Sequence, residues 1–179
     1  MDGKVIIDTK TMLRTLARLS HEIIERNSES DEIYLIGIKR RGVSLAKIIK
    51  ESIEKFSDMK VNFSEIDITF YRDDLTERYT SPRLNTTPEE LPIDGKTVVL
   101  VDDVIYTGRT ARAAMEAVIS MGRPSAIQLA VMIDRGHREL PINPNYVGKN
   151  IPTSKDEFVA VMVDEYDGIT QVVLSKAGK

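Results

Sequence analysis

The stretch Val98 to Thr110, VVLVDDVIYTGRT, delivers an apolar run into two adjacent carboxylates, Asp102 and Asp103, and then into Thr-Gly-Arg-Thr. A turn of that composition opening a helix offers unpaired backbone N–H groups and the positive end of the helix dipole. Gly108 permits close backbone approach, and Thr107 and Thr110 add hydroxyl donors. Together they would cradle a phosphate monoester. Carboxylates beside that cradle would repel phosphate, but they could accept hydrogen bonds from ribose hydroxyls or help position a hydrated Mg²⁺. Phosphate on one side and sugar on the other describes a phosphoribosyl group. The paired acids alone could equally be an Asp-rich turn of any α/β protein; the whole string carries the reading.

Two further clusters follow apolar runs: the basic turn Lys39-Arg40-Arg41-Gly42, and Asp134-Arg135-Gly136-His137. Competing phosphate and metal motifs fail on inspection. Gly37 to Gly42 has P-loop glycine spacing, but Val43 stands where its lysine should be, and no G-x-G-x-x-G occurs. His21-Glu22-Ile23-Ile24-Glu25 ends in glutamate rather than the second histidine of a zinc protease. On the first predicted helix, Arg14, Arg18, His21 and Glu25 share a stripe opposite the apolar face, with Arg26 toward its edge. Such a stripe is either simply solvated or able to meet phosphates and unpaired RNA bases.

The elements that must position these residues follow from periodicity. Met12, Leu13, Leu16, Leu19, Ile23 and Ile24 predict a helix over 9–26 with Thr9 as its cap. Strand, loop and helix are predicted at Glu32 to Ile38, Lys39 to Gly42 and Val43 to Phe56, and again at Thr97 to Val101, Asp102 to Gly108 and Arg109 to Met121. A third apolar strand spans Ala126 to Ile133, and Val61 to Tyr71 alternates as an edge or hairpin strand would. Arg72 to Asp94 is polar and proline-bearing, which predicts a lid over about 70–94. The tail from Phe158 to Leu174 predicts two short strands separated by Asp164 to Gly168. This alternation predicts one α/β domain over 1–179 with a mostly parallel sheet, and in such a sheet ligands sit beyond the carboxyl ends of the strands. The three polar loops should therefore converge on one crevice.

The 179 residues are 41% hydrophobic and 30% charged, enough for a full core. The absence of cysteine excludes disulfides, thiolate metal sites and cysteine nucleophiles. With no signal-like apolar start and no apolar run long enough to span a bilayer, a soluble, cytoplasmic protein without membrane association is expected. A net charge of −3 argues against nucleic-acid binding through bulk positive charge while allowing a local basic face.

HEIIERN, GIKRRG, EIDITFYRDD, VVLVDDVIYTGRT, GRPSAIQLAVMIDRGHRELPI and YVGKNIPTSK together resemble the bacterial pyrimidine-operon attenuation regulators that are also uracil phosphoribosyltransferases. The resemblance implies a type I phosphoribosyltransferase fold: a central, mostly parallel sheet flanked by helices, with a flexible lid hairpin. It implies transfer of phosphoribose from 5-phosphoribosyl-1-pyrophosphate to uracil, giving UMP and pyrophosphate. Mg²⁺ would be carried mainly by the substrate, with Asp102 and Asp103 acting on it indirectly. In this reading Asp102 and Asp103 meet the ribose hydroxyls, and Tyr106, Thr107, Gly108, Arg109 and Thr110 form the phosphate loop. Lys39, Arg40, Arg41 and Gly42 meet pyrophosphate, Asp134 and Arg135 lie beside the base, and Arg72, with Asp73 and Asp74, begins the lid as a catalytic residue. No residue is marked as a general base. Arg14, Arg18, His21, Arg26, His137, Lys149 and Lys155 are implied to bind pyrimidine-operon leader mRNA in response to UMP or UTP, from a dimer or larger homo-oligomer. The chain departs from the family pattern at Arg40, where Bacillus members have threonine, and at Asn143, where some members carry a basic residue. Two other readings stay open: a transferase for another base such as hypoxanthine or guanine, and an RNA-binding regulator whose inactive site only senses nucleotide.

Overall fold

Two sheets, one parallel and one antiparallel, organise the computed structural model, which describes residues 3–68 and 91–176. In chain order the elements are β1 (Lys4–Ile7), α1 (Thr9–Arg26), β2 (Glu32–Ile38), α2 (Arg41–Phe56), β3 (Lys60–Ile66), β4 (Thr97–Ile105), α3 (Arg109–Met121), β5 (Ala126–Asp134), β6 (Tyr146–Asn150), β7 (Glu157–Met162), α4 (Asp164–Asp167) and β8 (Gln171–Lys176). The larger sheet runs β3-β2-β4-β5-β6, every pair parallel. Its inner strands are continuous apolar runs because both faces are covered. Met12, Leu16, Leu19 and Ile23 of α1 and Leu45, Ile49 and Ile53 of α2 fill one face; Ala113, Ala114, Ala117 and Val118 of α3 fill the other. The smaller sheet, β1-β8-β7, is antiparallel and contributes Ile7, Val161 and Val172 to the α1/α2 side of the core.

The predicted type I phosphoribosyltransferase architecture is present, and several boundaries are corrected. Asp8, not Thr9, caps α1: its carboxylate accepts the Thr11 N–H at 2.8 Å. α2 begins at Arg41 rather than Val43, so Arg41 and Gly42 lie in the helix's first turn instead of in a loop. β4 continues to Ile105, and Asp102 and Asp103 are strand residues, because the ladder to β5 runs on through Asp102 to Val131 and Ile105 to Asp134. β3 is an edge strand as expected, but its last residue is Ile66. The two tail strands form, with α4 between them. β1 and β6 were not anticipated. The lid region lies, up to residue 90, outside the described residues, as do Arg72, Asp73 and Asp74. No helix among the described residues is long and apolar enough to cross a membrane.

At the amino end of the large sheet, a buried network of Asn27, Gln128 and Tyr146 ties the end of α1 to β5 and β6. Asn27 Nδ2 donates to Gln128 Oε1 at 3.0 Å, Gln128 Nε2 donates to Asn27 Oδ1 at 3.0 Å, and the Tyr146 hydroxyl donates to Gln128 Oε1 at 2.6 Å. These buried polar groups satisfy one another, which leaves the carboxyl ends of β2, β4 and β5 as the sheet's open chemical edge.

Candidate active site

The parallel register brings the ends of β2, β4 and β5 level; the basic turn and the aspartates share one cavity wall, whereas none of Asp134 to His137 lines that cavity or its neighbour. On β4, the Asp103 N–H donates to Asp102 Oδ1 at 2.9 Å and the Val104 N–H donates to Asp103 Oδ1 at 2.8 Å, fixing both carboxylates at the mouth of the sheet. Burial pushes the Asp103 carboxyl up from its ordinary value, against the opposing pull of these hydrogen bonds and of the Arg41 charge. Past Ile105 the chain turns through Gly108, whose φ of 94° is left-handed and suits glycine. That turn aims the first-turn amides of α3 into a cavity of about 410 Å³ whose wall runs from Tyr106 to Ala111 and includes Asp102. Arg109 of this loop is paired with Glu139, Nε to Oε2 at 3.0 Å.

A second cavity of about 310 Å³ adjoins the first, sharing Asp102, Val104 and Thr110, and takes Lys39, Arg40, Arg41 and Asp103 into its wall. The Lys39–Arg40 peptide is cis. The Lys39 N–H donates to the Ile66 carbonyl at 3.0 Å, and its ammonium pairs with Glu65 at 3.1 Å. Arg41 is held by Asp167. Gly42 is buried where a Cβ would stand 2.4 Å from the Val101 carbonyl oxygen, which is why α2 can start directly against the strand that carries the two aspartates.

Asp134, placed by the sequence in a loop, is the last residue of β5; it accepts the Gly136 N–H at 2.9 Å and pairs closely with Arg138. Arg138 also donates to the carbonyls of Tyr106 and Ile142, each at 2.9 Å, so one guanidinium ties the Asp134 loop to the phosphate-loop turn. Sequence reasoning did not single out Arg138: Asp134 and Ile142 stand four residues to either side of it, but its link to Tyr106 spans 32 residues and has no local signal. Arg135, 6% exposed, donates to Thr153 Oγ1 at 3.0 Å and to the Glu157 carbonyl at 2.7 Å, and stacks 4.1 Å from the Tyr106 ring centre. Its side chain is therefore a buried strut, and its backbone is engaged as well: the N–H donates to the Ile105 carbonyl at 3.2 Å and the carbonyl accepts from the Thr153 hydroxyl at 3.4 Å. Asp67 and the apolar pair Leu129 and Val131, which line the cavities, were likewise not singled out.

The implied RNA residues fall into two groups. Arg18 reaches from α1 to the carbonyls of Val147 (3.1 Å) and Gly148 (2.6 Å) on β6, bringing the stripe of Arg14, Arg18, His21 and Arg26 beside exposed Lys149. His21 lies against the exposed Phe56 ring at 4.7 Å, and Arg26 sits 5.9 Å from the Tyr146 ring centre. His137 instead meets Thr153, whose carbonyl is 2.5 Å from His137 Nε2, and Lys155 is exposed between β6 and β7. No group of three or more His, Asp or Glu side chains among the described residues could hold a metal ion.

The phosphoribosyl transferase domain family matches residues 3–167. The Bifunctional protein PyrR of Clostridium novyi (strain NT) is 57% identical over 163 residues, covering 91% of this chain and 92% of that protein. Its namesake from Caldicellulosiruptor bescii is 54% identical over 173 residues, covering 97% and 95%. The hypoxanthine phosphoribosyltransferase of Trypanosoma cruzi superposes with a TM-score of 0.74 at 17% identity, covering 98% of this chain and 97% of that one, which bears on the fold alone. The carboxylates, the turn from Tyr106 to Thr110 and the basic turn thus sit on a shared scaffold, and the chain belongs to the phosphoribosyl transferase domain family and, within it, to the bifunctional PyrR proteins.

Proposed function

We propose that this chain transfers phosphoribose from 5-phosphoribosyl-1-pyrophosphate to uracil, giving UMP and pyrophosphate, and that it binds pyrimidine-operon leader mRNA in the cytoplasm in response to uridine nucleotides, promoting attenuation. The observation that carries the enzymatic half is the meeting of a helix-start anion cradle, two fixed aspartates and a basic turn around adjoining cavities. The 5′-phosphate lies on the amides and hydroxyls from Thr107 to Thr110, and Asp102 and Asp103 accept from the ribose hydroxyls. The pyrophosphate meets Lys39, Arg40, Arg41 and the backbone at Gly42. Uracil lies beside Asp134 and Arg135. N1 of uracil bonds to C1 of the ribose as the C1–pyrophosphate bond breaks, and the N1 proton leaves.

The residues do this by positioning and by fixed charge. Carboxylate oxygens are the hard donors that Mg²⁺ prefers, and among the described residues the two aspartates belong to no group of three ligands, which fits an ion held mainly by the substrate's phosphates. Bound there, Mg²⁺ supplies neutralisation of the pyrophosphate charge. The RNA half is supported by the basic α1 stripe beside Lys149; a symmetric dimer would set two such stripes side by side.

The test is pyrophosphate release with Mg²⁺ and 5-phosphoribosyl-1-pyrophosphate, run with uracil, hypoxanthine, guanine, orotate and no base. Release with uracil alone is expected. Release with another base redirects the substrate, and no release with any base leaves a nucleotide-sensing RNA binder. Asp102→Asn together with Asp103→Asn should lower turnover by about a hundredfold or more; unchanged kinetics would remove both from the site.

A further inference from the structure

We infer that Asp167, on the short helix α4 beside the antiparallel sheet, is a positioning residue that holds the Arg41 guanidinium in place for a pyrophosphate. The inference rests on the reading of Arg41 as part of the pyrophosphate wall. Arg41 Nε and Nη2 donate to the two oxygens of Asp167 at 3.1 and 2.9 Å, a side-on bidentate pair. A guanidinium carries five N–H donors, so this pair leaves others for an anion. Arg41 lines the cavity that contains Asp102 and Asp103, and its charge reaches Asp103.

Asp167 is itself fixed, because its Oδ2 accepts the Val163 N–H at 2.9 Å, and its side chain is only 14% exposed. The surrounding contact is built rather than incidental. Arg41, Ser44 and Lys47 recur at three-residue steps, which places them on one face of α2. Glu165 accepts from the Ser44 hydroxyl at 2.5 Å and from the Lys47 ammonium at 3.3 Å. Each partner also moves the other's titration in the sense of a charged pair: Arg41 holds Asp167 below its ordinary value, and Asp167 raises Arg41. A long arginine side chain ordered before the ligand arrives spares the ligand the cost of ordering it.

The experiment titrates the full chain with Mg²⁺-pyrophosphate and, separately, with UMP, which lacks the pyrophosphate. For Asp167→Asn, pyrophosphate affinity should fall about tenfold, the size of ordering one long side chain, while UMP affinity stays within about twofold. In turnover, KM for 5-phosphoribosyl-1-pyrophosphate should rise by a similar factor, with kcat within about threefold. Asp167→Glu, which keeps the charge but displaces it, should weaken pyrophosphate about threefold and carries the test if the asparagine variant does not fold. Glu165→Gln, which loosens the same helix contact without touching Arg41, should leave pyrophosphate binding unchanged. Equal weakening of UMP and pyrophosphate, or no change in either, overturns the positioning role. A wild-type chain that binds no pyrophosphate overturns the functional reading, and this inference with it.

Discussion

Gly42 shows how little slack the site has at the level of single atoms. A methyl group there would lie 2.4 Å from the Val101 carbonyl oxygen and 3.2 Å from the Asp102 Cα, both backbone atoms that cannot rotate aside. Gly42→Ala should therefore push the start of α2 away from β4, costing about 1–3 kcal/mol in a urea titration. Turnover should fall more than tenfold as Asp102 shifts; a variant with wild-type stability and rate would show that the helix and strand separate freely. The residues with obvious chemistry, Asp102, Asp103 and the Thr-Gly-Arg-Thr turn, are legible in one dimension because their neighbours in sequence are also their neighbours in space. Arg138 and Arg135 are less so: Asp134 and Ile142 stand four residues to either side of Arg138, but its third partner, Tyr106, and the Thr153 and Glu157 that Arg135 serves are far off in sequence. Only folding brings those partners together.

Among the elements, β2 is tied to both neighbours at its first residue. Glu32 pairs with Lys96 at 2.6 Å just before β4 and with Lys60 at 3.5 Å on β3, and accepts from Asn62 at 3.0 Å. Its hydrogen bond with Lys96, then that from Asn62, bring its carboxyl down to about 2 from an ordinary 4.5. A depressed carboxyl favours the fold above the unfolded value, and that contribution fades as pH falls from about 4.5 toward 2. Thermal midpoints of Glu32→Gln should accordingly fall less steeply than wild type across that interval; parallel curves would show that the pairs do not stabilise the sheet. Strong periodicity made α1, β2, α2 and α3 readable. β1 is four residues long and β6 carries Gly148, Lys149 and Asn150, too short or too polar to stand out as strands. The extension of β4 through two aspartates was hidden for the same reason: acidic residues are poor strand formers, and the ladder to β5 overrides them.

Across the molecule, α2 separates two surfaces. Its 16 residues span about 24 Å, with Arg41 at the cavity end and Phe56, against which His21 packs, at the other. Substituting Arg18 and His21 together should thus weaken binding to a pyrimidine-operon leader RNA while leaving KM for uracil unchanged, measured by RNA retention and by steady-state rates. Normal RNA binding by that double variant would remove the α1 stripe from the interface. The alternation of strands and helices made the parallel sheet foreseeable, and the two tail strands were foreseen too; what escaped is that β1, from the other end of the sequence, joins them in the smaller sheet. β1 pairs with β8, and α4, which carries the partner of Arg41, lies between β7 and β8. During synthesis β1 therefore leaves the ribosome long before its partner strand exists, and Arg41 is made well before Asp167. A message broken upstream of β8 would yield chains whose small sheet cannot close, so the cavity wall at Arg41 gains its support only when translation is nearly complete.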